Sequence, residues 1–252
     1  MSRSEDTVDQ RQNESWGRKG AVMRSLVAIR NWRSRALFER LATYCAGDVC
    51  DVGGWDFYTS VDKQRVSFSS WTTVEPNHPM APLDDRHRVV QADGCALPFD
   101  ANTFDTVTSI QVLEHVYEPN LMFTELVRVL RPGGHLIVLI PQTSILHHAP
   151  DHFYNFTRYW ARESARRSGL AVVEEVSLGG RWSSTASHLF HFFLQSARFK
   201  GMSMEEDTRN LAFYVLFPLM ALYALASIPL LMLFSLGDLR EEPNNHLLVL
   251  RK

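Results

Sequence analysis

Seven short apolar runs, separated by amphipathic or polar stretches, constrain the fold more than any other feature of the chain. They are Asp48–Val52, Ser70–Glu75 (SWTTVE), Arg88–Ala92 (RVVQA), Thr106–Ile110, His135–Ile140 (HLIVLI), Ala171–Val176 and His246–Leu250 (HLLVL). Their length and β-branched content predict strands. HLIVLI shows no alternation, as expected of a strand covered on both faces. Pro119–Leu130 has the apolar spacing of an amphipathic helix, stopped by Arg131-Pro132-Gly133-Gly134, and Thr157 can cap a helix that runs to Gly169. Strands alternating with helices imply a mainly parallel sheet with right-handed crossovers. A chain of 252 residues with 45% hydrophobic content can bury the core that such a sheet requires.

In sheets of this kind ligands gather beyond the carboxyl ends of the strands. The first strand ends in Asp51-Val52-Gly53-Gly54, the second in Glu75, the third in Asp93-Gly94, and the fourth opens onto Gln111. A carboxylate at Glu75 can accept both hydroxyls of a ribose. Asp93 can accept from an exocyclic adenine amine, with Gly94 allowing close backbone approach. Turn chemistry alone also accounts for an Asp-Gly pair. The first loop, DVGGWDF, places Trp55 and Phe57 where further glycines would be expected. A dinucleotide enzyme needs bare backbone there for its pyrophosphate, so a hydride-transferring nucleotide enzyme is disfavoured.

The run ADGCALPFDANTFDTVTSIQVLEHVYEPNLMFTELVRVLRPGGHLIVLIPQ resembles the core of class I S-adenosylmethionine-dependent methyltransferases, of the small-molecule, methyltransferase-11-like type. Asp93, Leu97-Pro98-Phe99, Phe104-Asp105, Leu113-Glu114-His115 and Arg131-Pro132-Gly133-Gly134 carry the resemblance, which covers roughly residues 48–176 and the last strand. It implies an α/β, Rossmann-like seven-stranded sheet, mostly parallel with an antiparallel last strand. It further implies that Asp51, Gly53 and Gly54 line the methionine part of S-adenosylmethionine, that Glu75 holds the ribose, and that Asp93 and Gly94 meet the adenine. Gln111 would face the bound cofactor. The family loop reads acid-x-Gly-x-Gly-x-Gly, so Trp55 and Phe57 depart from it. S-adenosylmethionine carries no phosphate, and the loop is expected to work despite the change, with a shortened first crossover helix.

HHAPDHFYNFT, residues 147–157, follows the fifth strand and brings His147, His148, Asp151 and His152 within a few residues. Metal ligation, a structural loop, and acceptor binding or base catalysis all suit these residues. The segment resembles a His-x-x-Asp-x-(aromatic)-x-(aromatic)-Thr pattern that borders the acceptor pocket in these methyltransferases. Catalytic roles are therefore assigned to His148 or His152, with Asp151 orienting the imidazole; Glu114-His115 is a second candidate pair that shapes the cofactor pocket. No metal is expected.

Residues 211–236, LAFYVLFPLMALYALASIPLLMLFSL, carry no charge. One bilayer crossing would separate the sixth strand from the seventh, although both belong to one sheet. Pro218 and Pro229 are expected to interrupt the run, leaving a re-entrant hairpin or helices lying in the interface; a soluble lid or a dimer surface is the alternative. The chain accordingly divides into a polar tail (1–20), a helical region (21–46) whose arginine face meets solvent or anions, a cofactor-binding core (47–180), a helical apolar insert (181–237) and the final strand (238–252). Cys45, Cys50 and Cys95 lack metal or disulfide spacing and read as reduced cytosolic thiols. A net charge of −2 offers no nucleic-acid surface. These features predict a cytoplasmic methyltransferase, at the inner face of the membrane, that methylates an oxygen of a small-molecule, glycan or lipid-linked acceptor. The rival from another class is a catalytically inactive cofactor-binding module tethered to the membrane.

Overall fold

The computed structural model describes residues 34–64, 66–77, 81–196 and 209–252. The expected polar tail and the first part of the helical region lie outside the described residues. Residues 34–44 are helical (α1), and within this helix the chain divides into a unit Met1–Glu39 and a unit Arg40–Lys252. In the first unit Arg35 pairs with Glu39 one turn on, at 2.7 Å. All that follows concerns the second.

Its strands are β1 (Asp48–Val52), β2 (Ser70–Glu75), β3 (His87–Gln91), β4 (Phe104–Ile110), β5 (Leu130–Pro141), β6 (Ala171–Leu178) and β7 (Asn245–Arg251). They form one seven-stranded sheet in the order β3-β2-β1-β4-β5-β7-β6. β1 to β5 are mutually parallel, and β7 runs antiparallel between β5 and β6. The helices are α2 (Phe57–Lys63), α3 (Pro119–Val129), α4 (Arg158–Arg167), α5 (Arg181–Ser196) and α6 (Leu211–Phe234). Leu136–Ile140 of β5 are all buried, as a strand covered on both faces demands. On one face Leu113, Met122, Phe123 and Leu126 of the α3 region close the main core over Val107, Leu136 and Val138. Thr157 caps α4 by accepting from the Trp160 amide.

Two local expectations are corrected. Arg131-Pro132-Gly133-Gly134 lies within the bounds of β5 and is not merely a helix stop. Leu130 pairs with Phe104 and His135 with Thr106, so the intervening residues bulge out of the ladder. Gly133 takes φ 84 in that bulge. Pro218 and Pro229 do not interrupt the apolar run, and α6 is continuous across both. Each proline removes one donor from a ladder of 24 residues, and the remaining bonds hold.

The insert between β6 and β7 is an antiparallel pair of helices. The ring of Trp182, at the start of α5, lies 5.3 Å from that of Phe234 at the end of α6. Phe192, near the end of α5, meets Phe213 and Phe217 at 6.4 and 6.3 Å. Asp238 roots the pair by accepting the amides of Trp182 and Ser183 at the first turn of α5, at 2.8 and 3.0 Å. Those orphan donors need such a cap.

Candidate functional site

The loop after β1 is built on a buried acid. Asp51 is fully buried; its carboxylate accepts from Thr108 Oγ1 at 2.7 Å and from Trp71 Nε1 at 3.3 Å. A Cβ on Gly54 would stand 1.8 Å from Asp51 Oδ2, so the backbone passes directly over this carboxylate. The structure thus brings Asp51, Gly53 and Gly54 together, but turns Asp51 inward, where it supports the loop. Burial pushes its carboxyl up from 3.8 to about 7, against the lowering effect of its two donors. The folded protein therefore keeps a proton that the unfolded chain releases. Stability should fall as pH rises from about 4 to about 7 and level off above, by on the order of 4 kcal/mol if Asp51 acts alone. Urea midpoints across that range should show the slope, and Asp51→Asn should flatten it; an unchanged slope would assign it to other groups.

Trp55 and Phe57 now have an explanation. Phe57 packs on Trp71 at 6.4 Å between rings, within an aromatic group that includes Tyr58, Phe68 and His87. Trp55 takes φ 42, the left-handed region that suits glycine, with its indole half exposed. Its amide donates to the Glu75 carboxylate at the tip of β2. The tryptophan keeps the conformation of the glycine it replaces. Trp55→Gly should therefore change stability by no more than about 1 kcal/mol, strain relief opposing backbone entropy. It should also leave cofactor affinity within a few-fold in a calorimetric titration; a large loss would mean that the indole itself meets the cofactor.

Glu75 is buried. Its neighbour in the ladder is Gln91 at the end of β3, after which come Asp93 and Gly94. Asp93 is exposed and caps its own turn, Oδ1 accepting from the Cys95 amide at 2.8 Å. Gly94 sits against Val52 and Met122. Gln111, with φ 58, follows β4 directly and donates through Nε2 to Asn245 of β7 at 3.1 Å. The three acidic strand tips thus stand in adjacent strands of the sheet.

Beyond Gln111, Val112 packs against Gly53, and the short 3-10 turn Leu113–His115 follows. His115 is ringed by His147, His148 and His152 at 4.8, 5.3 and 5.5 Å between ring centroids. Burial is the main cause that lowers His115 to about 4 and raises Glu114 to about 7. His148 and Asp151 are exposed at the rim, and His152 is half-buried. Among the described residues, the orienting role expected of the Asp151 side chain is not found. Its backbone carbonyl meets Nδ1 of His115, and its amide donates to the His148 carbonyl at 2.9 Å. The imidazole oriented at this point is His115. That residue and Glu114 belong to the LEH signature, whose family resemblance implies a pocket-shaping role; the structure puts both at the centre of the cluster.

This sheet order and this set of strand-tip groups are similar to those of class I S-adenosylmethionine-dependent methyltransferases, and the family match falls on the same part of the chain. Residues 50–138 match the methyltransferase-11 family, described as a methyltransferase domain. The chain is 47% identical over 55 residues to demethylmenaquinone methyltransferase of Clavibacter sepedonicus, a match covering 22% of each protein. It is 44% identical over 132 residues to the ubiquinone/menaquinone biosynthesis C-methyltransferase UbiE of Roseobacter denitrificans, covering 47% of this chain and 52% of that one. It spans about a fifth to about a half of the length of the curated relatives it matches. Among solved structures, Haemonchus contortus phosphoethanolamine N-methyltransferase 2 with S-adenosyl-L-methionine superposes with a TM-score of 0.53 at 13% identity, over 88% of this chain and 52% of that one. That likeness is one of fold.

Proposed function

We propose that the chain transfers a methyl group from S-adenosylmethionine to a small acceptor with a long apolar part, taken from a membrane surface. The observation that carries this reading is a placement. The β1 loop, Glu75 and Asp93-Gly94 stand side by side, while the histidine cluster begins three residues after the Val112 contact with that loop. The donor set suits a nucleoside without phosphates: a carboxylate for ribose hydroxyls at Glu75, an acid and a glycine at Asp93-Gly94, and glycine backbone at residues 53 and 54. S-adenosylmethionine supplies an electrophilic methyl on a sulfonium, so the protein's task is alignment and exclusion of water. On the acceptor side His148 at the rim can take a proton from an acceptor hydroxyl.

The apolar part of the acceptor is argued from the insert. α5 and α6 are rooted beside the same end of the sheet, where Thr143, just after β5, bonds Ser184 of α5 at 2.9 Å. α6 is uncharged and, away from its contact with α5, exposes leucines and tyrosines. Because the two helices run antiparallel, they can enter and leave a bilayer on one side, which keeps β6 and β7 together. A ring carbon of a quinol is a second acceptor atom, favoured by the demethylmenaquinone methyltransferase match. Purified protein incubated with methyl-labelled cofactor and a membrane-lipid extract should label the organic phase, and analysis of the product separates an ether from a ring methyl. Label confined to the aqueous phase would overturn the apolar acceptor.

A further inference from the structure

The 3-10 turn and the 147–152 loop gather imidazoles around a carboxylate that has no donor among the described residues. Glu114 is fully buried, and neither carboxylate oxygen has a hydrogen-bond partner. Nδ1 of His115 faces the carbonyl of Asp151, and Nδ1 of His147 lies 2.9 Å from the carbonyl of Ile145, with Ser144 Oγ at 3.3 Å. A carbonyl only accepts, so both rings carry their proton on Nδ1 and present a bare lone pair at Nε2. Nε2 of His115 stands 3.9 Å from Glu114 Oε1. One ligand atom from each of Glu114, His115 and His147 falls within 4.8 Å of the others. A buried anion facing two lone pairs is costly unless positive charge lies among them. One proton satisfies a single pair of these atoms, whereas a metal ion satisfies all three.

We propose that Glu114, His115 and His147 hold a divalent zinc ion. Two imidazoles and one carboxylate are a borderline donor set that suits zinc, and three protein ligands leave a fourth position open. Ligand atoms around tetrahedral zinc lie about 3.3 Å apart, from bond lengths of about 2.0 Å, so the group must contract by roughly an ångström or more. His147, half-buried on a loop, can supply that movement by rotating. The Nδ1–H contacts to backbone carbonyls are the outer-shell arrangement that fixes a ligating histidine's tautomer. His152 plays another part: its Nδ1 accepts from the His147 amide at 3.2 Å, so its buried, unpartnered Nε2 bears the proton and serves as a donor beside the open position. With the methyl-transfer reading, on which this last step rests, that position takes an oxygen of the acceptor and selects hydroxylated acceptors over bare rings.

The test uses the full chain, without an added histidine tag, stripped by a chelator and titrated with zinc alone. Cobalt(II) absorption then reports coordination number. One zinc per chain should bind with micromolar or tighter affinity, and cobalt should show the intense visible bands of a four-coordinate site. Glu114→Gln and His115→Ala should weaken zinc binding at least 100-fold. His147→Ala should lose zinc likewise and still bind S-adenosylhomocysteine within about threefold of wild type. If Glu114→Gln does not fold, His147→Ala carries the same expectation. No saturable binding, or zinc binding undiminished in Glu114→Gln, would overturn the site, since exposed imidazoles alone would then explain any uptake. Zinc bound with the expected mutant losses but no S-adenosylhomocysteine binding by wild type would uphold the metal and sink the methyl-transfer reading.

Discussion

Glu75→Ala is expected to weaken S-adenosylhomocysteine binding at least 100-fold. The side chain is asked to do two things at once. It accepts the Trp55 amide, which holds the loop in its left-handed turn, and in the function proposed above it also accepts the ribose hydroxyls. Hydrogen bonds to a charged group contribute about 1.5–3 kcal/mol each, so losing two exceeds the roughly 2.7 kcal/mol that 100-fold represents. Glu75→Gln keeps a neutral acceptor and should lose only about tenfold. Calorimetric titration read beside thermal unfolding separates binding from folding. Glu75→Ala binding within threefold of wild type, at an unchanged melting temperature, would remove the ribose role.

The sheet was legible because its signals are local. HLIVLI and SWTTVE declare strands by composition, and the acids at their tips mark one edge of the sheet. The antiparallel last strand was implied only by the family resemblance, since no local signal sets strand direction. Other features were not local. Asp51 reads as a ligand-facing acid in sequence, yet Trp71 and Thr108, from two neighbouring strands, turn it inward. Glu114 is one acid in a short turn, and only the assembled fold shows that it is buried without partners. The 147–152 run suggested metal spacing by itself, but two of the three converging donors come from the turn after β4. Trp55 reads as a departure from a glycine position in a loop expected to work, and its left-handed backbone was not legible because conformation leaves no trace in composition. The prolines of α6 misled for the opposite reason: a breaker rule holds for a helix on its own, and the long uncharged ladder around them outweighs two lost donors.

Substituting three leucines of α6 should separate the membrane from the catalytic core. Leu219, Leu222 and Leu225 are 66%, 65% and 64% exposed, so replacing them by Asp leaves no cavity and removes no core contact. α6 is about 36 Å long, enough to reach through a hydrocarbon layer of about 30 Å. Each leucine that leaves water contributes about 1.5–3 kcal/mol, and each aspartate at membrane depth costs about 3 kcal/mol. The triple variant Leu219→Asp, Leu222→Asp, Leu225→Asp should therefore lose vesicle binding by several orders of magnitude. Wild-type protein should float with phospholipid vesicles in a density gradient, and the variant should stay at the bottom. Binding of S-adenosylhomocysteine should stay within twofold, because Asp238 still roots α5 beside the sheet. Methyl transfer to a lipid presented in vesicles should collapse, while transfer to a short-chain, water-soluble analogue should persist. If wild type ignores vesicles and sediments as a dimer that the variant dissociates, the same leucines face a second copy of the chain and the acceptor need not come from a bilayer.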